Sequence, residues 1–134
     1  IFNKKIIFSA DYEIIDYTFS EMNSYDYAFE TENDAIKNTY TQAANIRLGA
    51  EVNIKPFVLR SGYAKYGSAL TNKDFSRENF SFGLGLNNGG YFFDVAYVLS
   101  QGMDEHKLYS EDYIAPVSLV NTNHNLIFTL GFRY

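Results

Sequence analysis

Apolar and polar residues alternate with a period of two over most of this chain, the pattern of β-strands that have one apolar and one polar face. In the last such stretch every even position is apolar: Leu126, Phe128, Leu130, Phe132 and Tyr134. The same alternation predicts six strands, at about 4–18, 38–54, 57–66, 77–87, 91–101 and 123–134. No apolar stripe at helical spacing lasts three turns, and only residues 25–37 suit a short helical turn. The whole chain, 1–134, is therefore predicted to be one all-β unit.

The charged residues in the strand centres are predicted to share the polar face. They are Asp11, Glu13, Arg47, Glu51, Arg60, Asp94 and Arg133. In a soluble sandwich such charges face water, whereas in an outer-membrane barrel they face the lumen and the apolar face meets lipid. Alternation alone does not separate these two arrangements. As lumen-facing residues at similar depth, they are expected to form ion pairs, and a structural role is favoured over substrate recognition.

The lengths of the connections and strands separate the two arrangements. The connections at 53–56 and 87–90 are short, whereas those at 19–37, 67–76 and 101–122 are long, polar and acidic. Short turns at one end and long loops at the other are typical of outer-membrane barrels. Strands of 10–15 residues tilted by about 40° are long enough to cross an apolar layer of roughly 25 Å. This combination favours an antiparallel transmembrane β-barrel in the bacterial outer membrane.

Aromatic residues make up 18% of the chain, as 12 Tyr and 12 Phe, yet the mean hydropathy is only −0.24. Rings and polar residues are therefore expected on separate faces. Rings near both ends of the strands fit the aromatic girdles of a membrane barrel. Those near the short turns are Phe57, Tyr91, Phe92, Phe93, Phe132 and Tyr134. Those near the opposite end are Tyr12, Tyr17, Tyr40, Tyr63 and Tyr66.

Composition excludes several classes of protein. No run of 18 apolar residues exists, which excludes a transmembrane helix, and the absence of Cys excludes disulfides and thiolate sites. The net charge of −5, without a basic cluster, argues against nucleic acid as a partner. The chain begins with Ile1 and not with Met, which predicts a processed or trimmed product.

The chain carries no recognisable catalytic motif, so no enzyme activity, cofactor or metal site is predicted. His106 and His124 have no ligand spacing and are expected to be solvated or rim residues. The acidic pairs at 104–105 and 111–112 lack the ordered spacing of a calcium loop and are read as a solvated acidic face. The glycines of 83–85 do not form a phosphate cradle, because no helix follows, and are read as small inward positions beside larger neighbours.

The chain end resembles the terminal signal by which outer-membrane barrels are recognised for insertion, an aromatic last residue preceded by apolar residues at alternate positions. Its residues are Phe128, Leu130, Phe132 and Tyr134. Six further stretches carry a resemblance over nearly the whole chain from about residue 4: 37–40, 47–52, 60–64, 82–86, 94–97 and 123–126. In their order and spacing, these stretches are similar to the C-terminal part of the FadL/TodX family of hydrophobic-compound transporters, in its Bacteroidetes branch.

The resemblance implies a 14-stranded barrel with an N-terminal plug, through which hydrophobic molecules move sideways into the membrane. This chain has only six convincing strands, and the plug and earlier strands are not in it, so no ligand-contacting residue is carried over. Two explanations stay open. Either these are the last six strands of a longer parent, or 19–37 and 101–122 supply two more strands for an eight-stranded barrel.

The function predicted first is an outer-membrane β-barrel segment of a passive importer of hydrophobic small molecules. Its expected partners are membrane lipid, a hydrophobic substrate, and either the missing N-terminal strands or further copies of the chain, because lipid does not tolerate open sheet edges. One alternative is a small outer-membrane barrel acting as an adhesin or structural anchor. Another is a soluble lipid-binding β-barrel, against which the long strands, the long acidic loops and the lack of a helical lid argue.

Overall fold

One antiparallel sheet of six strands makes up most of the molecule. The computed structural model describes residues 4–71, 75–106 and 117–132. The strands are β1 (Lys4–Asp16), β2 (Gln42–Ile54), β3 (Phe57–Tyr66), β4 (Arg77–Asn87), β5 (Tyr91–His106) and β6 (Val117–Phe132). Each strand pairs with the next one along the chain, and the sheet is not closed, so β1 and β6 are its edges. The predicted all-β architecture of six antiparallel strands is confirmed.

A helix occupies the connection between β1 and β2 and shortens both predicted strands. After a 3₁₀ turn at Tyr17–Phe19, the chain forms helix α1 (Glu30–Thr39). Glu30 and Glu32 in its first turn and Lys37 in its last turn suit the helix dipole. Strand β2 therefore begins at Gln42, and not at 38 as the alternation suggests.

The ladder between β5 and β6 extends further than the sequence predicts. It continues to the pair His106 and Val117, so much of the predicted 101–122 connection is strand. The described residues of 19–37 and 101–122 supply no seventh or eighth strand, since they form a helix, a turn and extensions of β5 and β6. The two extra strands considered for an eight-stranded barrel are therefore absent from the part of the chain that the structure describes.

Both short turns lie at one end of the sheet, here called the short-turn end. Lys55 and Pro56 join β2 to β3, and 88–90 join β4 to β5. Gly89 has φ +75°, a left-handed conformation that glycine adopts without strain. The described parts of the longer connections, 17–41, 67–71 and 75–76, lie at the opposite, long-connection end.

The sheet has two contrasting faces. The polar face is the side that carries Arg47 and Arg60, and the apolar face is the side that carries their neighbours Leu48 and Leu59. The buried residues among those described are Ala43, Asn45, Val58 and Gly85, and the register places all four on the polar face. On the apolar face, large side chains are exposed, up to 80% for Phe8. The sheet therefore has no apolar core of the kind found in a soluble sandwich.

Candidate functional site

The polar face brings together six of the seven predicted charged residues, in two clusters. The Arg47 cluster contains Asp11, Glu13, Asn45, Arg47 and Tyr66. The Arg60 cluster contains Glu51, Arg60 and Asp94. Arg133 lies outside the described residues. Each cluster places two carboxylates around one guanidinium group, so four negative charges face two positive charges.

The Arg47 cluster follows from the register of β1 and β2. Arg47 lies directly opposite Asp11, and its Nη1 donates to Asp11 Oδ1 at 2.9 Å. Its Nη2 donates to Glu13 Oε2 at 2.8 Å, and Asn45 Nδ2 donates to the same oxygen at 3.0 Å. The guanidinium carbon also lies 5.5 Å from the centre of the Tyr66 ring, a cation–π contact. Charge-assisted hydrogen bonds therefore join side chains of β1 and β2, and the ring of β3 packs on the same cation.

The Arg60 cluster extends over four strands. Arg60 Nε donates to Glu51 Oε2 at 2.9 Å, on the neighbouring strand β2. Its Nη1 donates to Asp94 Oδ1 at 2.8 Å, although Asp94 is on β5 and β4 lies between. The β4 positions on this face are Gly83 and Gly85. Because neither has a side chain, the guanidinium group can cross the backbone of β4.

Small residues separate the two clusters on the polar face. One cross-strand row runs through Ser9, Gly49, Gly62 and Ser81. A Cβ added to Gly49 would lie 2.6 Å from Ser9 Oγ, and one added to Gly62 would lie 2.6 Å from Ser81 Oγ. The serine hydroxyls thus occupy the space left by the missing side chains. This row forms an uncharged band of small polar groups between two charged clusters.

The middle of the apolar face is uncharged, and charged residues lie on it at the long-connection end. There Lys65 and Glu78 lie directly opposite each other, with Lys65 Nζ 2.9 Å from Glu78 Oε1. The sequence prediction concerned the charges in the strand centres, whereas this pair lies near the ends of β3 and β4 and on the opposite face. The alternation along the strands indicates this face for both residues. Lys65 is two residues from Tyr63 and Glu78 is two residues from Phe80, and residues two apart in a strand share a face. His124 is also on this face, where its Nδ1 lies 2.6 Å from the Tyr97 hydroxyl.

The aromatic residues divide between the faces as their parity requires. Phe57, Tyr91, Phe93 and Phe132 lie on the apolar face at the short-turn end and are exposed. Phe92 was predicted with this group, but it faces the polar side, where its ring covers Gly131 on β6. Tyr66 is likewise on the polar face, against Arg47. Both positions agree with the period of two, because adjacent residues of a strand face opposite sides.

The predicted insertion-signal residues of β6 lie on the apolar face. Phe128, Leu130 and Phe132 are exposed there, with Phe132 the most exposed at 70%. Tyr134 lies outside the described residues.

A groove crosses the apolar face between Phe8 and Phe82. Its floor is made by the small residues Ala50 and Ser61, which share one cross-strand row with the two rings. The groove has a volume of about 600 Å³ and is lined mainly by apolar side chains. A hydrocarbon chain fits such a surface chemically, because the groove offers dispersion contacts and very few hydrogen bonds.

Within the residues that the structure describes, no group of three or more His, Cys, Asp or Glu side chains could hold a metal ion. The acidic pair at 111–112 and the side chain of His106 lie outside this description. No helix among the described residues is long and apolar enough to cross a membrane. Comparisons of the chain with protein-family models, curated proteins and solved structures found no match.

Proposed function

We propose that this sheet is part of the wall of an outer-membrane β-barrel that passively imports hydrophobic small molecules. In this proposal its strands are the C-terminal strands of a 14-stranded barrel. The observation that carries it is the segregation of the two faces. Most of the exposed large apolar side chains of the strands stand on one face, with Ile7, Val117, Leu119 and Ile127 as exceptions, and buried residues and ion pairs concentrate on the other. That is the arrangement of a sheet with lipid outside and a polar interior.

Exposure of the apolar face to water would be costly. Leu84 is 63% exposed in the middle of this face, and its neighbours Phe82 and Phe128 are similarly exposed. Burial of one such side chain is worth about 1.5–3 kcal/mol, and patches of this extent mark contact with a membrane or another protein. Lipid hydrocarbon would remove this cost without any further protein layer.

The height of the apolar band suits a bilayer. On β3 the band runs from Phe57 at the short-turn end to Lys65, the first charge on this face. At about 3.3 Å per residue this is roughly 26 Å along the strand, or about 20 Å of depth at a tilt near 40°. The aromatic rings at the short-turn end and the Lys65–Glu78 pair would then lie near the two interfaces.

The open edges of the sheet require partner strands. β1 and β6 have unpaired edges in the described structure, and lipid leaves unpaired backbone groups unsatisfied. Further strands of a parent chain, or copies of this chain, would supply the missing hydrogen bonds. Closure on the polar side would place the two Arg clusters in the lumen.

The polar face suits passage of a small molecule in which no covalent bond is made or broken. Arg47 and Arg60 are already neutralised by carboxylates, and the band between them carries only small residues. The identification of hydrophobic compounds as the cargo rests on the resemblance to the FadL/TodX family.

A small barrel that acts as an adhesin or anchor is the second candidate. The connection between β1 and β2 favours it, because Tyr25 is fully exposed and Phe19, Met22 and Tyr27 are exposed nearby. Such side chains suit contact with a partner. A soluble lipid-binding barrel fits less well, because its buried face would be apolar, whereas the more buried face here is polar.

An immunoblot of the host's outer-membrane fraction, boiled and unboiled, would test these functions with an antibody to residues 20–40. A heat-shifting band well above 15.3 kDa would support the importer barrel. A heat-shifting band near 15.3 kDa would favour the small anchor and overturn the importer. A band in the soluble fraction would overturn both. For a large barrel, loss of uptake of a hydrophobic compound after deletion of the gene would test the transport step.

A further inference from the structure

A second polar feature lies on the polar face at the long-connection end, apart from the two Arg clusters. It is a cleft of about 170 Å³ across β4, β5 and β6. Its polar-face lining is Arg77, Ser100, Gly102, Asp104, Asn121 and Asn123.

The register explains how the cleft forms. Arg77, Gly102 and Asn121 share one cross-strand row, and Ser100 and Asn123 lie in the next row. Gly102 provides the floor, because a Cβ there would lie 3.8 Å from the Arg77 Cγ. A larger residue at this position would fill the space beside the arginine stem.

Among the described residues, the donors of Arg77, Asn121 and Asn123 around this floor have no partner. Arg47 and Arg60 each hold two carboxylates, but Arg77 forms no hydrogen bond or ion pair with the described residues. The side chains of Asn121 and Asn123 likewise have no hydrogen-bond partner there. Ser100 differs, since its hydroxyl donates to Asn79 Oδ1. One cation and two amides on neighbouring strands thus offer free donors to the same cleft.

We propose that this cleft binds an oxyanion group, a carboxylate or a phosphate. The Arg77 guanidinium would hold two oxygens through its planar fork, and the amide groups of Asn121 and Asn123 would donate further hydrogen bonds. The inference goes beyond the proposed function and does not depend on lipid around the apolar face.

Asp104 limits the strength of this site. It lies two residue pairs beyond Gly102, in the next row of the polar face towards the long-connection end, and its Oδ1 accepts from the Glu105 backbone N–H at 2.9 Å. Its carboxylate opposes an incoming anion. Substitution of Asp104 by Asn would remove this charge and keep the shape, so it strengthens binding.

The test uses inorganic phosphate as the probe. Phosphate is titrated into the isotope-labelled protein in detergent micelles, and chloride keeps the ionic strength constant. NMR would follow the side-chain amides of Asn121 and Asn123 and the Nε–H of Arg77. The expected result is a saturable shift of these signals. Arg77→Gln weakens binding by about tenfold or more, the loss of a charge-assisted pair, and Asp104→Asn tightens it. Lys65→Gln, on the opposite face, is the matched control and leaves the affinity unchanged. Acetate in a parallel titration separates a carboxylate site from a phosphate site.

A lack of saturable shift in the wild-type and Asp104→Asn proteins, with an intact β-sheet circular dichroism spectrum, overturns the proposal. An Asp104→Asn affinity equal to that of the wild type also overturns it, and this test does not depend on the folding of Arg77→Gln. Binding by a protein found outside the membrane would support the anion site while the barrel proposal fails. A membrane barrel that binds no phosphate would support the barrel proposal and overturn the anion site.

Discussion

Arg60 on β3 holds Asp94 on β5 at 2.8 Å across the intervening strand β4. The contact depends on Gly83 and Gly85, which leave the backbone of β4 uncovered on the polar face. An added Cβ at Gly85 would lie 3.5 Å from Arg60 Nη1 and would contact Asp94 Oδ1. Two glycines of one strand therefore allow an ion pair between its two neighbours.

Gly85→Ala is predicted to displace the Asp94 carboxylate and weaken this ion pair. We expect the free energy of unfolding in detergent, measured with urea, to fall by about 1 kcal/mol, since the groups are partly exposed. Gly90→Ala is the matched control, because nothing lies within 4 Å of a Cβ at that position. An equal loss of stability in both variants would contradict the role assigned to Gly85.

Arg60→Gln is predicted to lower stability without changing the transport rate per folded molecule. It leaves Glu51 and Asp94 without their cation, although neither residue is required to recognise a hydrophobic cargo. Uptake by whole cells, normalised to the amount of heat-shifting protein, would measure the rate. Asp94→Asn in the same chain should recover part of the stability, because one of the unpaired charges is removed. A clear reduction in flux per folded barrel would instead assign Arg60 to substrate recognition.

An arginine placed on either face of β4 would report which face meets lipid. Leu84→Arg should destabilise the protein in lipid vesicles by about 2–4 kcal/mol, the cost of a charge at mid-bilayer. Ser81→Arg, on the polar face of the same strand, should cost clearly less. The folded fraction after reconstitution, read from the heat shift on a gel, measures both. If Ser81→Arg proved as harmful as Leu84→Arg, the apolar face would not be the lipid face.

Phe92 and Phe93 are adjacent on β5 but are predicted to differ in their contribution to stability. The Phe92 ring covers Gly131 on the edge strand β6, so Phe92→Ala should cost about 1 kcal/mol in the free energy of unfolding. Phe93→Ala removes a ring on the apolar face, where lipid can fill the space, and should cost less. Urea titrations in vesicles would compare them, and the reverse order would show that Phe92 does not stabilise the β5–β6 pairing.

The alternation of residues was enough to predict the six strands and the shared face of Arg47, Arg60 and their carboxylates, because a strand has a strict period of two. It was not enough to predict the start of β2, since α1 has a weak apolar pattern in a polar connection. Phe92 lies at the predicted end of the sheet but not on the apolar face with the other rings, because nearness to a turn does not determine the face of a strand residue. The contact between Arg60 and Asp94 depends on the length of an arginine side chain over glycines, which no local pattern contains.

Pairing of each strand with its chain neighbour also affects how the sheet is built. Every ladder from β1 to β6 joins segments that follow one another along the chain. Such local pairing lowers the entropy lost in each closure, so the sheet can grow by addition of one hairpin at a time. If the proposed barrel closes, only the seam that joins β6 to the first strand of the parent chain unites segments that do not follow each other. That seam is therefore expected to form last and to set the rate at which the protein assembles.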